Sequence, residues 1–164
     1  ILQEYFVEIF CWRVFPLDIL HDISNILKKN GIDGIIDPCC GNGFHSYLFS
    51  YYLNFRVFSV DIQEEKEGWV QIEEEDGRLF LKKLPIREHL KNALFLSWID
   101  YDLLSQDLLN LYHGNLVVSV GNYDKHKSVR YLKDLRSKFT LLKTYNLIMP
   151  WKLEEKIEIY IRNK

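Results

Sequence analysis

Apolar residues change their spacing several times along this 164-residue chain. After Pro16, residues Ile19, Leu20, Ile23, Ile26 and Leu27 recur three and four apart. That spacing puts them on one face of a helix, which Gly31 is placed to close. The period then switches. Residues 32–37 form a short apolar run ending at Pro38, which reads as a buried strand. Gly41-Asn42-Gly43 marks a tight turn, and residues 44–53 read as a helix with Leu48, Tyr51 and Tyr52 facing inward. Residues 55–61, 93–97 and 116–120 are further strands, the last rich in β-branched side chains. Between residues 62 and 92 the pattern weakens to a strand at 70–73 and a helix at 77–84. Asp102 is placed to cap a helix carrying Leu103, Leu104, Leu108 and Leu111, with Gly114 beyond its end. Ser128 is placed to cap another that carries Val129, Leu132 and Leu135. Residues 139–147 and 156–161 finish the chain as strands.

Strands that are continuous apolar runs and alternate with helices predict an α/β fold with a mostly parallel sheet covered on both faces. The last two strands are close in sequence and are expected to pair antiparallel at one edge. The length suits one domain over residues 1–164, at ~100–200 residues per domain.

Composition narrows the field. Hydrophobic residues at 48% and charged residues at 27% are those of an ordinary globular chain, and 15% aromatics predict a core rich in Phe and Tyr. No apolar run approaches the ~20 residues of a membrane helix. The start lacks a basic region and a cleavage site, so no signal peptide is expected there. Cys11, Cys39 and Cys40 are odd in number and include an adjacent pair, which is neither a disulfide framework nor zinc spacing. A reducing, cytoplasmic setting fits best. The five histidines, His21, His45, His89, His113 and His126, form no ligand set, so no metal is expected.

The net charge of −2 gives no global drive toward nucleic acid. Acidic residues gather in 64–76, and basic residues in 125–138, where Arg130, Lys133 and Arg136 share a helix side. Both runs read first as solvated faces, with a docking surface for an anionic partner as the second reading of the basic one.

The segment that carries chemistry is Asp37-Pro38-Cys39-Cys40-Gly41-Asn42-Gly43. It follows a buried strand and opens a helix, where open α/β sheets bind ligands. Gly41 and Gly43 allow a sharp turn and close approach to the backbone. Asp61 ends the next strand, placed to accept hydrogen bonds from a ribose diol. A dinucleotide site would want a third glycine where Ser46 stands, and a phosphate would meet the charge of Asp37. A ligand with a sulfonium and an ammonium is favoured by that same charge. The short chain also leaves little room for the substrate half of a dehydrogenase. S-adenosyl-L-methionine is therefore preferred, with NAD as the competing cofactor.

These residues resemble the first motif of class I S-adenosylmethionine-dependent methyltransferases, in the Asp-Pro-x-Cys-Gly-x-Gly variant frequent among methylases of nucleic acids. The resemblance implies a three-layer Rossmann-like sandwich whose sheet has seven strands, the last inserted backwards. It implies that Asp37, Cys39, Gly41 and Gly43 hold the methionine end and that Asp61, with Ile62 beside it, holds the ribose. Glu75-Asp76-Gly77 looks like the third motif, which puts Asp76 and Gly77 at the adenine. Residues 93–101 fall at the fourth motif, which places Ser97 by the cofactor and Asp100 and Tyr101 at the acceptor. Asp100 would orient the acceptor or take its proton, and Tyr101 would stack on it; either Asp100 or Asp102 would alternatively cap the next helix.

The sequence departs from the pattern in two places. Cys39 replaces a glycine, and Trp98-Ile99-Asp100-Tyr101 lacks the prolines of the base amino-methyltransferases. The acceptor is unreadable. The missing prolines and short chain also fit a methyltransferase-like module that binds a partner without catalysis. With little chain left for a deep pocket, a partner subunit or a large substrate is expected to complete the site. Cys39 and Cys40 read as small fillers of a tight loop, Trp69 and Trp98 as core aromatics, His45 as a ligand contact or a surface position, and Gly121-Asn122-Tyr123 as a turn or an acceptor wall.

Overall fold

The computed structural model describes residues 2–10, 15–63, 68–99, 103–121, 129–148 and 154–164. Its helices are α1 (Leu2–Ile9), α2 (Leu17–Lys29), α3 (Phe44–Tyr47), α4 (Gly77–Lys83), α5 (Ile86–Lys91), α6 (Leu104–Leu111) and α7 (Val129–Lys138). Its strands are β1 (Gly34–Asp37), β2 (Arg56–Asp61), β3 (Glu73–Glu74), β4 (Asn92–Ser97), β5 (Leu116–Gly121), β6 (Phe139–Ile148) and β7 (Glu154–Arg162). They form one seven-stranded sheet in the order β3-β2-β1-β4-β5-β7-β6. The first five strands pair in parallel. β7 runs antiparallel to both neighbours, inserted between β5 and β6. The reversed last strand and the antiparallel final pair are both as the sequence predicted.

Side-chain alternation along the strands builds two cores, one on each side of the sheet. Ile35, Phe95, Val118, Ile157 and Ile159 meet Leu20, Ile23 and Leu27 of α2 and Phe49. Ile36, Leu94, Leu96, Val117 and Tyr160 meet Phe80 and Leu81 of α4, Leu108 and Leu109 of α6, and Tyr131 and Leu135 of α7. This is a three-layer sandwich. β5 is buried at every position because paired strands flank it and helices cover both its faces.

Several local expectations are corrected. The helix after the glycine turn packs Leu48 against the core as expected but has Tyr51 and Tyr52 outward, 75% and 47% exposed; its fully buried residues are Ser46, Phe49 and Leu53. The Ser46 hydroxyl donates to Asp37 Oδ2 at 2.8 Å, which fixes the helix's rotation, and residues Leu48–Tyr52 continue it as a π-helical turn. The weak strand expected at 70–73 lies at Glu73–Glu74 instead, because Val70 and Ile72 turn in against Gly43. Pro85 starts a separate helix, α5, that the pattern did not show, and α1 was also unforeseen. The expected caps Asp102 and Ser128 lie outside the described residues. Among the described residues no helix is long and apolar enough to cross a membrane.

Candidate functional site

The segment between Asp37 and α3 lies at the carboxyl ends of β1 and β2, beside the point where the sheet order reverses between β1 and β4. The Cys40 N–H donates to Val60 O at 3.0 Å, holding the loop on β2. Gly41 and Gly43 both adopt left-handed conformations, with φ of +56° and +79°. The two glycines differ in surroundings. A Cβ on Gly41 would meet nothing within 4 Å, so this backbone is open to a ligand. A Cβ on Gly43 would come within 2.6 Å of Val70 Cγ2.

Two carboxylates frame the turn. Asp37 is buried, and burial raises its carboxyl to about 7 against the lowering effect of the Ser46 hydrogen bond, with Asp61 adding to the rise. Asp61 is half-buried; its Oδ2 accepts from the Gly41 N–H at 2.9 Å and its Oδ1 from the Gln63 N–H at 3.3 Å. The same turn is thus bracketed by a buried acid whose titration is raised and a hydrogen-bonded one. Burial and the neighbouring Asp37 and Asp61 push the Cys39 thiol up to about 12, and the Cys40 thiol also upward. Neither sulfur supplies a thiolate at neutral pH, in keeping with small side chains filling a tight loop.

The remaining predicted residues are placed as follows. Ile62 follows Asp61 and is 65% exposed. Asp76 caps α4: its Oδ1 accepts from the Arg78 N–H at 2.8 Å, and its carboxylate clasps the Arg78 guanidinium at 2.6 and 3.0 Å. That clasp, with the backbone bonds, holds Asp76 down to about 2. Arg78 also reaches Asp107 of α6 at 3.5 Å. Gly77 is buried where a Cβ would sit 2.5 Å from Pro38 O, so the glycine lets α4 press against the loop. Ser97 ends β4 opposite Val120 and is half-buried. Asp100 and Tyr101, with Asn122 and Tyr123, lie outside the described residues.

Trp69 and Trp98, expected in the core, belong to neither buried cluster. Trp69 is 37% exposed and packs over the loop against Phe44, Phe10 and Tyr47. Trp98, just past β4, has a φ of +53°, rare for a bulky residue, and its indole N–H donates to buried Glu155 Oε2 at 2.6 Å. His45 stacks on Phe15 at 4.6 Å and meets the edge of Phe95, so packing accounts for it. The sequence had not singled out Asn42, Glu155 or the end of α1. Only the position of Asn42 between two glycines was a usable signal. Among the described residues no group of His, Cys, Asp and Glu is built to hold a metal.

A ligand lying over Gly41 would meet open backbone and two acids. That set suits a cation and a diol; it repels a pyrophosphate. Solved structures share the architecture. Magnesium protoporphyrin IX methyltransferase from Synechocystis, with bound S-adenosylmethionine, superposes with a TM-score of 0.64 at 14% identity, over 89% of this chain and 77% of that one. A methyltransferase dependent on the same cofactor from Archaeoglobus fulgidus gives 0.61 at 16% identity, over 87% and 94%. The Burkholderia thailandensis 1,6-didemethyltoxoflavin-N1-methyltransferase, bound to its substrate and S-adenosylhomocysteine, gives 0.60 at 14%, over 86% and 76%. The fold is the Rossmann-like one of class I methyltransferases. No protein-family model matches the sequence, and no curated protein matches it.

Proposed function

We propose that this chain binds S-adenosylmethionine over the Asp37–Gly43 loop and directs its methyl group to an acceptor at the carboxyl edge of β4. The observation that carries the reading is the conjunction of open backbone at Gly41 with the acids Asp37 and Asp61 on either side. Bound there, the cofactor supplies an electrophilic methyl on a sulfonium. The chain's own residues bind and orient. Asp37 gives up its proton and offers a carboxylate to the ammonium. The backbone of Cys39, Gly41 and Gly43 lies along the methionine end. Asp61 exchanges its bond with Gly41 for the ribose hydroxyls, and exposed Ile62 offers an apolar surface beside them. Asp76 reaches the adenine while still capping α4, and Gly77 keeps it close by letting α4 approach Pro38. Ser97 borders the methyl, and the roles at the acceptor fall to Asp100 and Tyr101, by their place in the sequence after β4. The protein supplies proximity and alignment rather than a covalent intermediate.

The test is calorimetric titration of the full chain with S-adenosylmethionine, S-adenosylhomocysteine and NAD, with Asp61→Ala beside it. The expected result is micromolar binding of both adenosyl ligands, lost in the variant, and no binding of NAD. A folded chain that takes up neither adenosyl ligand would end this reading and leave a methyltransferase-like module that works by binding a partner.

A further inference from the structure

Asn42, between the two left-handed glycines, joins three segments. Its Oδ1 accepts from the Phe44 N–H at 3.1 Å, and its backbone carbonyl accepts from the Trp69 N–H at 2.8 Å. Its Nδ2 donates to the carbonyl of Ile9 at 3.3 Å. The Trp69 indole N–H donates to that same carbonyl at 2.7 Å. Ile9 is the last residue of α1, where helix carbonyls lack intrahelical partners. Rings close around the junction: Phe10 stacks on Trp69 at 5.6 Å and meets Phe44 edge-on at 5.4 Å, and Trp69 meets Phe44 at 5.0 Å. Gly68 lets this segment approach, since a Cβ there would lie 3.2 Å from Asn42 O. No described residue of α1 enters either core. The end of α1 is held by hydrogen bonds and ring contacts to the glycine loop and the residues around it.

We infer that Asn42 and Trp69 are positioning residues of the cofactor site, and that through them α1 is a cover whose docking and cofactor binding favour each other. The inference rests on the proposed S-adenosyl ligand. With α1 seated, the Asn42 amide is held at both its oxygen and its nitrogen, and the loop keeps the left-handed turns that present its backbone. With α1 away, Asn42 Nδ2 and the Trp69 indole both lose their acceptor. The loop then spends part of its time in other conformations, and apparent affinity drops by that fraction. Linkage makes the effect mutual: a ligand that α1 tightens must tighten α1 by the same factor.

The experiment uses the full chain as wild type, Asn42→Ser, Trp69→Phe and the double variant. Serine still accepts from the Phe44 N–H but is too short to reach Ile9, and phenylalanine keeps a ring without the N–H. S-adenosylhomocysteine affinity is measured by calorimetry, ligand-free Tm by circular dichroism, and amide exchange of residues 2–10 with and without S-adenosylhomocysteine. Each single variant should lose on the order of tenfold in affinity with little change in ligand-free Tm. The double variant should lose less than the product of the two, because both bonds end on one carbonyl. In the wild type the ligand should slow exchange across α1, and in the double variant it should not. Wild-type affinity in the variants, or wild-type exchange indifferent to the ligand, would overturn the inference. A wild type that binds no adenosyl ligand would instead overturn the cofactor reading beneath it, and the inference would go with it.

Discussion

Replacing Asp37 by asparagine should remove one component of the protein's pH dependence and leave the others in place. Asp37 is buried and its carboxyl titrates near about 7 rather than 3.8, chiefly because burial penalises the charge. At about 1.4 kcal/mol for each unit, the charged form costs the native state about 4 kcal/mol. The native chain holds a proton between pH 4 and 7 that the unfolded chain has already released. This contribution is therefore fully present below the unfolded value and is lost as pH rises through about 7. Asparagine has no charge to bury and keeps an oxygen for the Ser46 hydroxyl. Urea unfolding followed by circular dichroism at pH 4.5, 6, 7 and 8 would compare the two proteins. The stability of the variant minus that of the wild type should rise steadily with pH, by about 3 kcal/mol between pH 4.5 and 8, or on the order of 10 °C in Tm. Buried His89 tilts both proteins the other way. Burial lowers its titration, so its share of stability is lost as pH falls through the ordinary histidine value. That slope is common to both chains and cancels in the difference. A difference that stays constant from pH 4.5 to 8 would refute the assignment of a buried Asp37 whose titration is raised by burial.

Three further substitutions probe how the site is built. Gly43→Ala combines a φ of +79° with a 2.6 Å contact to Val70 Cγ2; the backbone alone should cost about 1–2 kcal/mol in urea unfolding, and adding Val70→Ala should relieve only the contact. Gly77→Ala would set a methyl 2.5 Å from Pro38 O, which is backbone and cannot swing aside; a loss of about 1–3 kcal/mol is expected, together with weaker S-adenosylhomocysteine binding as α4 is pushed off the loop. Tyr112→Phe removes a buried hydroxyl that lies 2.7 Å from Asn92 O and 2.8 Å from Leu116 O and accepts from the Leu116 N–H at 3.2 Å. The stranded groups should cost about 1–3 kcal/mol by denaturant titration, with cofactor affinity unchanged.

The sheet was legible because its strands are buried on both faces, so each one reads as an apolar run. The glycine turn and its two acids were legible because a bend with open backbone demands residues of those kinds. Elements whose positions are set by contacts distant in sequence were not. No described side chain of α1 enters either core, and the helix's last carbonyl is held by Asn42 and by Trp69, sixty residues along the chain. The inward face of the helix at 44–53 was misread because a side-chain bond from Ser46 to Asp37 sets its rotation. Seven apolar and aromatic residues in that stretch gave several stripes of equal merit. Glu155, outside the strand expected at 156–161, carried no signal; only the folded chain brings it to the indole of Trp98. Asp76 shows the limit of motif reading: its carboxylate caps α4 and clasps Arg78, which nothing about a Glu-Asp-Gly triplet discloses.

The backward insertion of β7 also orders events during synthesis. β1 to β5 can zip together as they leave the ribosome, since each pairs with a strand already made. The far edge of β5, a strand buried along its length in the finished fold, then stays bare until residue 162 has emerged, because its partner is β7 and not the earlier β6. During that interval the nascent chain presents a sticky, unpaired strand of the sort that recruits other strands. The natural closing piece is the β6–β7 hairpin, docked as one unit through β7. Emergence of β7, rather than the making of the glycine loop, is then the moment at which this edge of the sheet is covered.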